Sequence, residues 1–221
     1  MSENEIDPFS DFLYPFLDDQ VQVSLEVVLE EVRGSTLQKM EEVISLRRAF
    51  IASQADELVA AAQKMARAFK GGGKLLTFGN GGSATDAQDM AADFLNPTGG
   101  VALPAISRTN DIGVVTAVGN DVGYDNIFTR QLIAFGQPND IVVGFSTSGQ
   151  SPNVLSAFAQ AQKMGLLTIG IVGYDGGQVA RAGLEHCFIV RSSYIPRIQE
   201  VHATIYHTLW ELTQRILGEV A

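Results

Sequence analysis

Two short segments of the sequence carry most of the groups suited to binding an anion. Residues 79–83 read Gly-Asn-Gly-Gly-Ser, and residues 146–151 read Ser-Thr-Ser-Gly-Gln-Ser, with four hydroxyls in six positions. Hydroxyls and backbone N–H groups donate hydrogen bonds, and glycines let the backbone approach a ligand closely. A phosphate monoester has three oxygens that need such donors. The two segments therefore predict a phosphate site, with a polar turn capped by serine as the structural alternative.

Three carboxylates follow the first segment at helical spacing, namely Asp86, Asp89 and Asp93. Asp89 and Asp93 are four residues apart, so they share one face of a helix. Carboxylates in this arrangement are suited to acid–base chemistry or to metal ligation through oxygen. The alternative is a solvated helix face, since acidic residues near a helix start also interact favourably with its dipole.

Two other phosphate-binding motifs fit the sequence less well. Residues 79–84 match the loose dinucleotide pattern G-x-G-x-x-G/A, but that pattern requires an acidic residue about twenty positions further on. The nearest candidate, Asp111, lies too far along the chain. A nucleotide P-loop requires Gly-Lys-Ser/Thr, which neither segment contains. Neither motif accounts for the serine-rich second segment.

Each of the two segments lies between a predicted strand and a predicted helix. The apolar runs lack alternation, which is typical of parallel strands buried on both faces. Alternation of strands with helices predicts an α/β fold, a three-layer αβα sandwich with a five-stranded parallel sheet. Ligands bind such sheets at the carboxyl ends of the strands, where both segments fall. The predicted strands are 74–78, 101–106, 140–145, 166–172 and 186–190, and the predicted helices are 84–95, 111–119 with 124–135, 152–164 and 198–217.

The N-terminal part of the chain has a different pattern. Residues 1–17 contain two prolines and scattered aromatic residues, which predicts an irregular arm, and residues 20–33 have a mainly helical pattern. Gly34-Ser35 is expected to break this helix. Residues 36–50 and 52–69 then form two helices or one long bent helix, which ends at the glycines 71–73. We therefore predict an N-terminal arm and helix extension over residues 1–35 and one domain over residues 36–221.

The composition excludes several classes of function. The net charge of −10 disfavours a nucleic-acid partner, because the phosphate backbone would be repelled. No run approaches the eighteen or so apolar residues of a membrane span, and no signal-peptide pattern begins the chain. The single cysteine, Cys187, lies in an apolar run and is expected to be a buried thiol. These features predict a cytoplasmic protein with no membrane partner.

Taken together, these residues resemble the phosphoheptose isomerase group of sugar isomerase (SIS) domains. The shared stretches occur in order from Lys74 to the C-terminus, over about two thirds of the chain, and together they are highly specific. They are Gly-Asn-Gly-Gly-Ser at 79–83, Ala-Gln at 87–88, Gly-Asn-Asp at 119–121 with Gly-Tyr at 123–124, Phe-Thr-Arg-Gln at 128–131, Ser-Thr-Ser-Gly at 146–149 with Ser151, Asp-Gly-Gly at 175–177, and Ile-Gln-Glu at 198–200 with His202.

This resemblance implies a fold, an assembly and a reaction. It implies the SIS fold, a homotetramer with sites at subunit interfaces, and aldose–ketose isomerisation of sedoheptulose 7-phosphate through an enediol. It also implies which residues bind the phosphosugar. These are Asn80, Gly81, Gly82, Ser83, Asp111, Asn120, Asp121, Ser146, Thr147, Ser148, Ser151 and Gln199.

The resemblance further implies the catalytic and metal-binding residues, with one departure. Asp93 stands where the family has its glutamate base, and His207 matches the family's C-terminal histidine. Asp89 replaces the first metal-binding histidine, so the implied metal ligands are Asp89, Asp93, Gln199 and His207. The family metal is zinc, whereas carboxylate ligands favour harder cations such as Mg²⁺ or Mn²⁺. Gln199 and His207 are about 80° apart around a helix, which allows them to share a broad face.

Three functions remain open from the sequence. The first is a phosphosugar isomerase that uses Asp93 and His207. The second is a non-catalytic phosphosugar-binding SIS regulator or assembly protein, suggested by the altered acids and the N-terminal extension. The third is an isomerase for a different sugar phosphate.

Overall fold

The five apolar runs form one parallel sheet in the computed structural model, which describes residues 24–219. The strand order is β2-β1-β3-β4-β5, and every neighbouring pair is parallel. The predicted five-stranded parallel sheet is therefore confirmed. The strands are β1 (Leu75–Phe78), β2 (Ala105–Ser107), β3 (Ile141–Ser146), β4 (Leu167–Gly173) and β5 (His186–Val190).

Helices connect the first four strands as expected for parallel crossovers, and a loop with one 3₁₀ turn connects β4 to β5. Within residues 24–219, no helix has the length and apolarity needed to cross a membrane. The helices are α1 (Leu25–Lys70), α2 (Gly82–Leu95), α3 (Ile112–Asp121), α4 (Ile127–Phe135), α5 (Pro152–Lys163) and α6 (Ile195–Glu219), with short 3₁₀ turns at Tyr124–Asn126 and Val179–Arg181.

The sheet is covered by helices on both faces because its strands are apolar on both. Ile141 and Val143 of β3 pack in a cluster with residues of α2, α6 and the 43–70 part of α1. Val142, which points to the opposite face, packs with residues of α4 and α5. This arrangement confirms the three-layer αβα sandwich.

Two predicted boundaries were wrong. Gly34-Ser35 does not end a helix, because α1 continues through both residues; a glycine inside a helix costs only about 1 kcal/mol relative to alanine. The second strand does not begin at Val101 but at Ala105, immediately after Pro104, whose nitrogen cannot donate to a neighbouring strand.

The described chain covers only part of the predicted N-terminal extension. The arm predicted for residues 1–17 lies outside the described residues. The chain separates into two units, Met1–Glu42 and Val43–Ala221. The division predicted at residue 35 stays a prediction.

The strand order determines where the two predicted anion-binding segments lie. β1 pairs with β2 on one side and with β3 on the other, so the strand order along the sheet changes direction at β1 although all the strands run parallel. Segments that follow β1 and β3 therefore meet at one crevice beyond the carboxyl ends of adjacent strands, the usual ligand position in open parallel sheets.

The side chain of Gln54 covers part of the exposed edge of the sheet. Its Nε2 donates to the carbonyl oxygen of Ile189 at 3.0 Å, and its Oε1 accepts from the Ile189 amide at 3.1 Å. β5 is an edge strand, so these two bonds replace those that a sixth strand would make. Unpaired edges invite association with other strands.

Replacing Gln54 by alanine should lower the free energy of unfolding by about 1–2 kcal/mol, because two hydrogen bonds to the backbone are lost. Urea unfolding measures this change. Gln63→Ala is the matched control, since Gln63 is exposed on the same helix. Equal changes in the two variants would show that the edge contact contributes nothing.

Candidate active site

The first anion-binding segment forms the turn from β1 into α2. Gly81 has φ of 56° and directly precedes the helix, a conformation that favours glycine. Gln199 of α6 lies so close to Gly82 that a Cβ atom there would overlap its amide nitrogen. Ser83 is buried at the helix start, where the helix dipole favours an anion. The turn therefore has the backbone shape expected of a phosphate cradle.

The second segment forms the turn from β3 into α5, and its hydroxyls face one another. Ser146 Oγ and Ser151 Oγ are 3.1 Å apart, and Ser146 Oγ also accepts from the Gly149 amide at 3.1 Å. Ser148 Oγ accepts from the Gln150 amide. Thr147 is half-buried between them. The segment is thus a closed serine-lined turn at the start of a helix.

A third loop, after β4, supports the second turn from behind. Gly149 has φ of 63°, and a Cβ atom on it would overlap the carbonyl oxygen of Gly176. The amide of Val179 donates to the Gly149 carbonyl at 3.0 Å. The shape of the second turn therefore depends on direct backbone contact with residues 176–179.

An asparagine pair joins the two turns. Asn80 Nδ2 donates to Asn153 Oδ1 and Asn153 Nδ2 donates to Asn80 Oδ1, both at 2.9 Å. The Tyr124 hydroxyl also donates to Asn80 Oδ1, at 3.1 Å. Asn153 and Tyr124 were not assigned a role from the sequence. The only sequence signal was the position of Asn153 beside the second turn and of Tyr124 within the shared Gly-Tyr motif.

The proposed catalytic pair comes together at the far end of α2. Asp93 Oδ2 lies 3.3 Å from His207 Nε2 of α6. The pair lines a cavity of about 280 Å³. Burial raises the pKa of Asp93; His207 opposes this shift and Asp89 adds to it. A raised pKa makes the carboxylate a stronger base, as proton abstraction requires. The other residues that line the cavity are Asn96, Pro97, Thr98, Trp210 and Glu211.

The four predicted metal ligands do not converge in the described chain. Gln199 lies against Gly82, whereas His207 follows it by eight residues, a rise of roughly 12 Å along a helix. Asp89 is exposed, one turn before Asp93. Within residues 24–219, no group of three or more His, Cys, Asp or Glu side chains is arranged to hold a metal ion. Of the four predicted ligands, Asp93 and His207 lie together, and the metal site stays a prediction.

Three predicted sugar-binding residues lie at the start and the end of α3. Asp111 caps this helix, since its Oδ1 accepts from the Val114 amide at 3.0 Å. Asn120 Nδ2 donates to Asp121 Oδ1 at 2.8 Å. All three are exposed. Their role in sugar binding stays a prediction.

A second carboxylate–histidine pair lies between α2 and α6, with the histidine buried and the carboxylate partly buried. Asp86 Oδ2 is 3.9 Å from Nδ1 of His202, which is fully buried. Burial, with Asp89 adding to it, raises the pKa of Asp86 from 3.8 to about 7. Burial lowers the pKa of His202 from 6.5 to about 4, against an opposing effect of the Val172 backbone. Both groups are therefore uncharged in slightly acidic solution.

The two pKa shifts act on stability in opposite directions. In the folded protein Asp86 keeps its proton up to about pH 7, whereas in the unfolded chain it loses the proton near pH 3.8. The contribution of Asp86 to the free energy of unfolding therefore falls as pH rises between these two values. In the unfolded chain His202 binds a proton below pH 6.5, whereas in the folded protein it does so only below about pH 4. The contribution of His202 to the free energy of unfolding therefore rises with pH over that range.

Replacing Asp86 by asparagine should remove the opposing contribution of Asp86, so that the pH dependence of stability due to His202 is seen alone. The free energy of unfolding should rise from pH 4 to pH 6.5 more steeply in Asp86→Asn than in the wild type. Urea titrations at several pH values measure the two slopes, with Asp56→Asn as the exposed control. Equal dependence of the free energy of unfolding on pH in all three proteins would show that the pKa of Asp86 is not raised by folding.

Comparison with known proteins places this geometry in a family. The profile of the SIS domain family matches residues 40–173. The chain is 42% identical over 185 residues to the phosphoheptose isomerase of Roseiflexus sp. (strain RS-1), covering 83% of this chain and 93% of that protein. It is 44% identical over 182 residues to the phosphoheptose isomerase of Solidesulfovibrio magneticus, covering 81% and 88%.

Solved structures give the same result. The phosphoheptose isomerase structure from Neisseria gonorrhoeae superposes with a TM-score of 0.78 at 33% identity, over 83% of this chain and 99% of that one. The phosphoheptose isomerase structure from Francisella tularensis superposes with a TM-score of 0.75 at 31% identity, over 85% and 98%.

Proposed function

The chain belongs to the SIS domain family, among the phosphoheptose isomerases, and we propose that it interconverts sedoheptulose 7-phosphate and the corresponding aldose 7-phosphate. One observation carries this proposal. The helix that starts in the phosphate cradle also carries Asp93 beside His207. From Ser83 to Asp93 the helix rises roughly 15 Å, a span suited to an extended seven-carbon sugar phosphate with its phosphate at one end and its carbonyl at the other.

The reaction requires two proton transfers at adjacent carbons. The Asp93 carboxylate removes a proton from C1, and His207 donates a proton to the C2 oxygen, which gives the enediol. The proton held by Asp93 then returns to C2 while His207 takes the proton from the C1 hydroxyl, which gives the aldehyde. Each residue ends in its starting state. General acid–base catalysis of this kind needs both groups within hydrogen-bond reach of the substrate.

The phosphate is held by the two turns while the carbonyl end reacts. Ser83, Ser146 and Ser151 offer hydroxyls at the starts of α2 and α5, and both helix dipoles favour a dianion there. The protein has a net charge of −10, so this local field is what attracts the substrate. Binding energy at the phosphate orients the reacting carbons at Asp93.

A homotetramer is the assembly that we propose. Its support is apolar surface that the described chain leaves uncovered. No residue of α3 is buried although the helix is rich in valine, and Ile112 is 72% exposed. Leu25 and Leu29 in the first unit are also exposed. Contiguous exposed apolar surface marks association sites. Light scattering after size exclusion tests the assembly.

A divalent metal ion is a separate proposal, which rests on the resemblance. Elemental analysis of protein purified without added metal tests it. Zinc, magnesium or manganese at one ion per chain would support the proposal. A metal content near zero in protein that is fully active after chelator treatment would refute it.

The cytoplasm is the location that we propose. Cys187 is the single cysteine in the sequence, and burial raises the pKa of its thiol to about 11. A half-buried, protonated thiol without a second cysteine forms no internal disulfide, which fits a reducing compartment. Fractionation of the source cells tests the location.

Incubation of the purified protein with sedoheptulose 7-phosphate tests the function. We expect the aldose to accumulate to an equilibrium ratio that is the same from either substrate. Thermal stabilisation by the phosphosugar without any turnover would instead favour the non-catalytic binding protein. Turnover of another sugar phosphate alone would favour an isomerase of different specificity.

A further inference from the structure

The amide of Asn80 is held by two side chains from other parts of the fold. Its Oδ1 accepts from Asn153 Nδ2 at 2.9 Å and from the Tyr124 hydroxyl at 3.1 Å. Its Nδ2 donates to Asn153 Oδ1 at 2.9 Å. Asn153 Nδ2 can only donate, so it opposes rotation of the amide, because a rotated amide would present an N–H group to it; the Tyr124 hydroxyl adds a second hydrogen bond to the oxygen in the observed orientation.

Asn153 is itself rigidly placed. It is 1% exposed, and its Oδ1 also accepts from the Val154 amide at 2.9 Å, within the first turn of α5. A buried side chain with satisfied hydrogen bonds has one orientation. The first turn is thereby tied to the start of the helix that follows the second turn.

Tyr124 provides a link of a different kind. It follows Gly123, which has φ of 98°, and begins the 3₁₀ turn at Tyr124–Asn126. Its side chain is largely exposed, yet its hydroxyl reaches Asn80 in the first turn. One hydrogen bond from an exposed tyrosine contributes little to the free energy of unfolding. Its effect falls instead on the orientation of the Asn80 amide.

We propose that Tyr124 and Asn153 are positioning residues that fix the Asn80 amide so that its remaining N–H group points to the phosphate of the sugar. This inference rests on the proposed function, since it assigns residues to the same site. Asn80 Nδ2 has two hydrogens, and among the described residues only Asn153 accepts from it. The second hydrogen is available to a phosphate oxygen.

Tyr124→Phe tests the inference because it removes only the hydroxyl. KM for sedoheptulose 7-phosphate should rise about fivefold, the usual effect of one hydrogen bond, while kcat stays unchanged because Asp93 and His207 are not touched. The dissociation constant for inorganic phosphate, measured by calorimetry, should rise by a similar factor. Tyr194→Phe is the control, since Tyr194 is also exposed and contacts neither turn.

A double-mutant cycle shows whether Tyr124 acts through Asn80. In an Asn80→Ala background, Tyr124→Phe should produce no further change in KM or in phosphate affinity. Independent, additive effects of the two substitutions would overturn the proposal, as would an unchanged KM and phosphate affinity in Tyr124→Phe. Wild-type protein without isomerase activity would refute the proposed function, and the phosphate titrations would still decide the role of Tyr124.

Discussion

Asp93→Asn should lower kcat for sedoheptulose 7-phosphate isomerisation by about 10²–10⁴-fold, the usual contribution of a positioned general base. The asparagine amide has nearly the size of the carboxylate but cannot accept a proton. His207→Gln should cause a loss of similar size, since His207 Nε2 lies 3.3 Å from Asp93 Oδ2. His207 transfers protons to and from the oxygens bound to the two carbons on which Asp93 acts. Steady-state kinetics with both substrates measures kcat and KM separately.

The two substitutions should leave substrate binding intact, because neither side chain belongs to the phosphate cradle. KM and the affinity for inorganic phosphate are expected to change by less than about threefold. Asp56→Asn provides the control for the loss of one exposed carboxylate. Retention of a tenth or more of wild-type kcat by Asp93→Asn would show that Asp93 is not the base.

Gly149→Ala should both destabilise the protein and weaken phosphosugar binding. The new Cβ atom would overlap the Gly176 carbonyl, and φ of 63° is itself unfavourable for alanine. We expect a loss of about 2–4 kcal/mol in the free energy of unfolding, as for other backbone clashes. The second turn must shift to relieve the overlap, so KM should rise at least tenfold, about 1.4 kcal/mol of binding.

Gly165→Ala separates the two contributions. Gly165 has φ of 70°, close to that of Gly149, but a Cβ atom there would have nothing within 4 Å. This control should therefore show only the backbone strain, about 1–2 kcal/mol, with unchanged KM. If the two variants lose equal stability and both bind substrate normally, the close contact between residues 149 and 176 contributes neither to stability nor to substrate binding.

The fold could be predicted from the sequence where local pattern and tertiary environment agree. Strand β5 was predicted with the observed bounds, His186–Val190. β2 was misplaced because the apolar run that begins at Val101 suggested a strand, while only the three residues after Pro104 pair with β1. Gly34 was expected to end a helix, but the helix-forming residues around it outweigh its small conformational penalty.

The residues of the site could be predicted from the sequence better than the contacts between them. The pairing of Asp93 with His207 followed from residue types and the family resemblance. The predicted grouping of Gln199 with His207 considered only the angle around the helix. The rise along the axis separates them, and Gln199 instead lies on Gly82. The contact of Asn80 with Asn153 joins residues 73 positions apart, which only the strand order brings together.

Solvent exchange during turnover tests the central claim most directly. The wild-type protein is incubated with sedoheptulose 7-phosphate in D₂O and followed by proton NMR. Because the Asp93 side chain is 39% exposed, the proton that it removes can exchange with D₂O before it returns to the sugar. Proton abstraction by Asp93 therefore predicts that aldose appears with deuterium at C2 and that the remaining ketose acquires deuterium at C1, both absent with Asp93→Asn. Phosphosugar that binds to the protein but shows neither aldose nor deuterium would contradict the account.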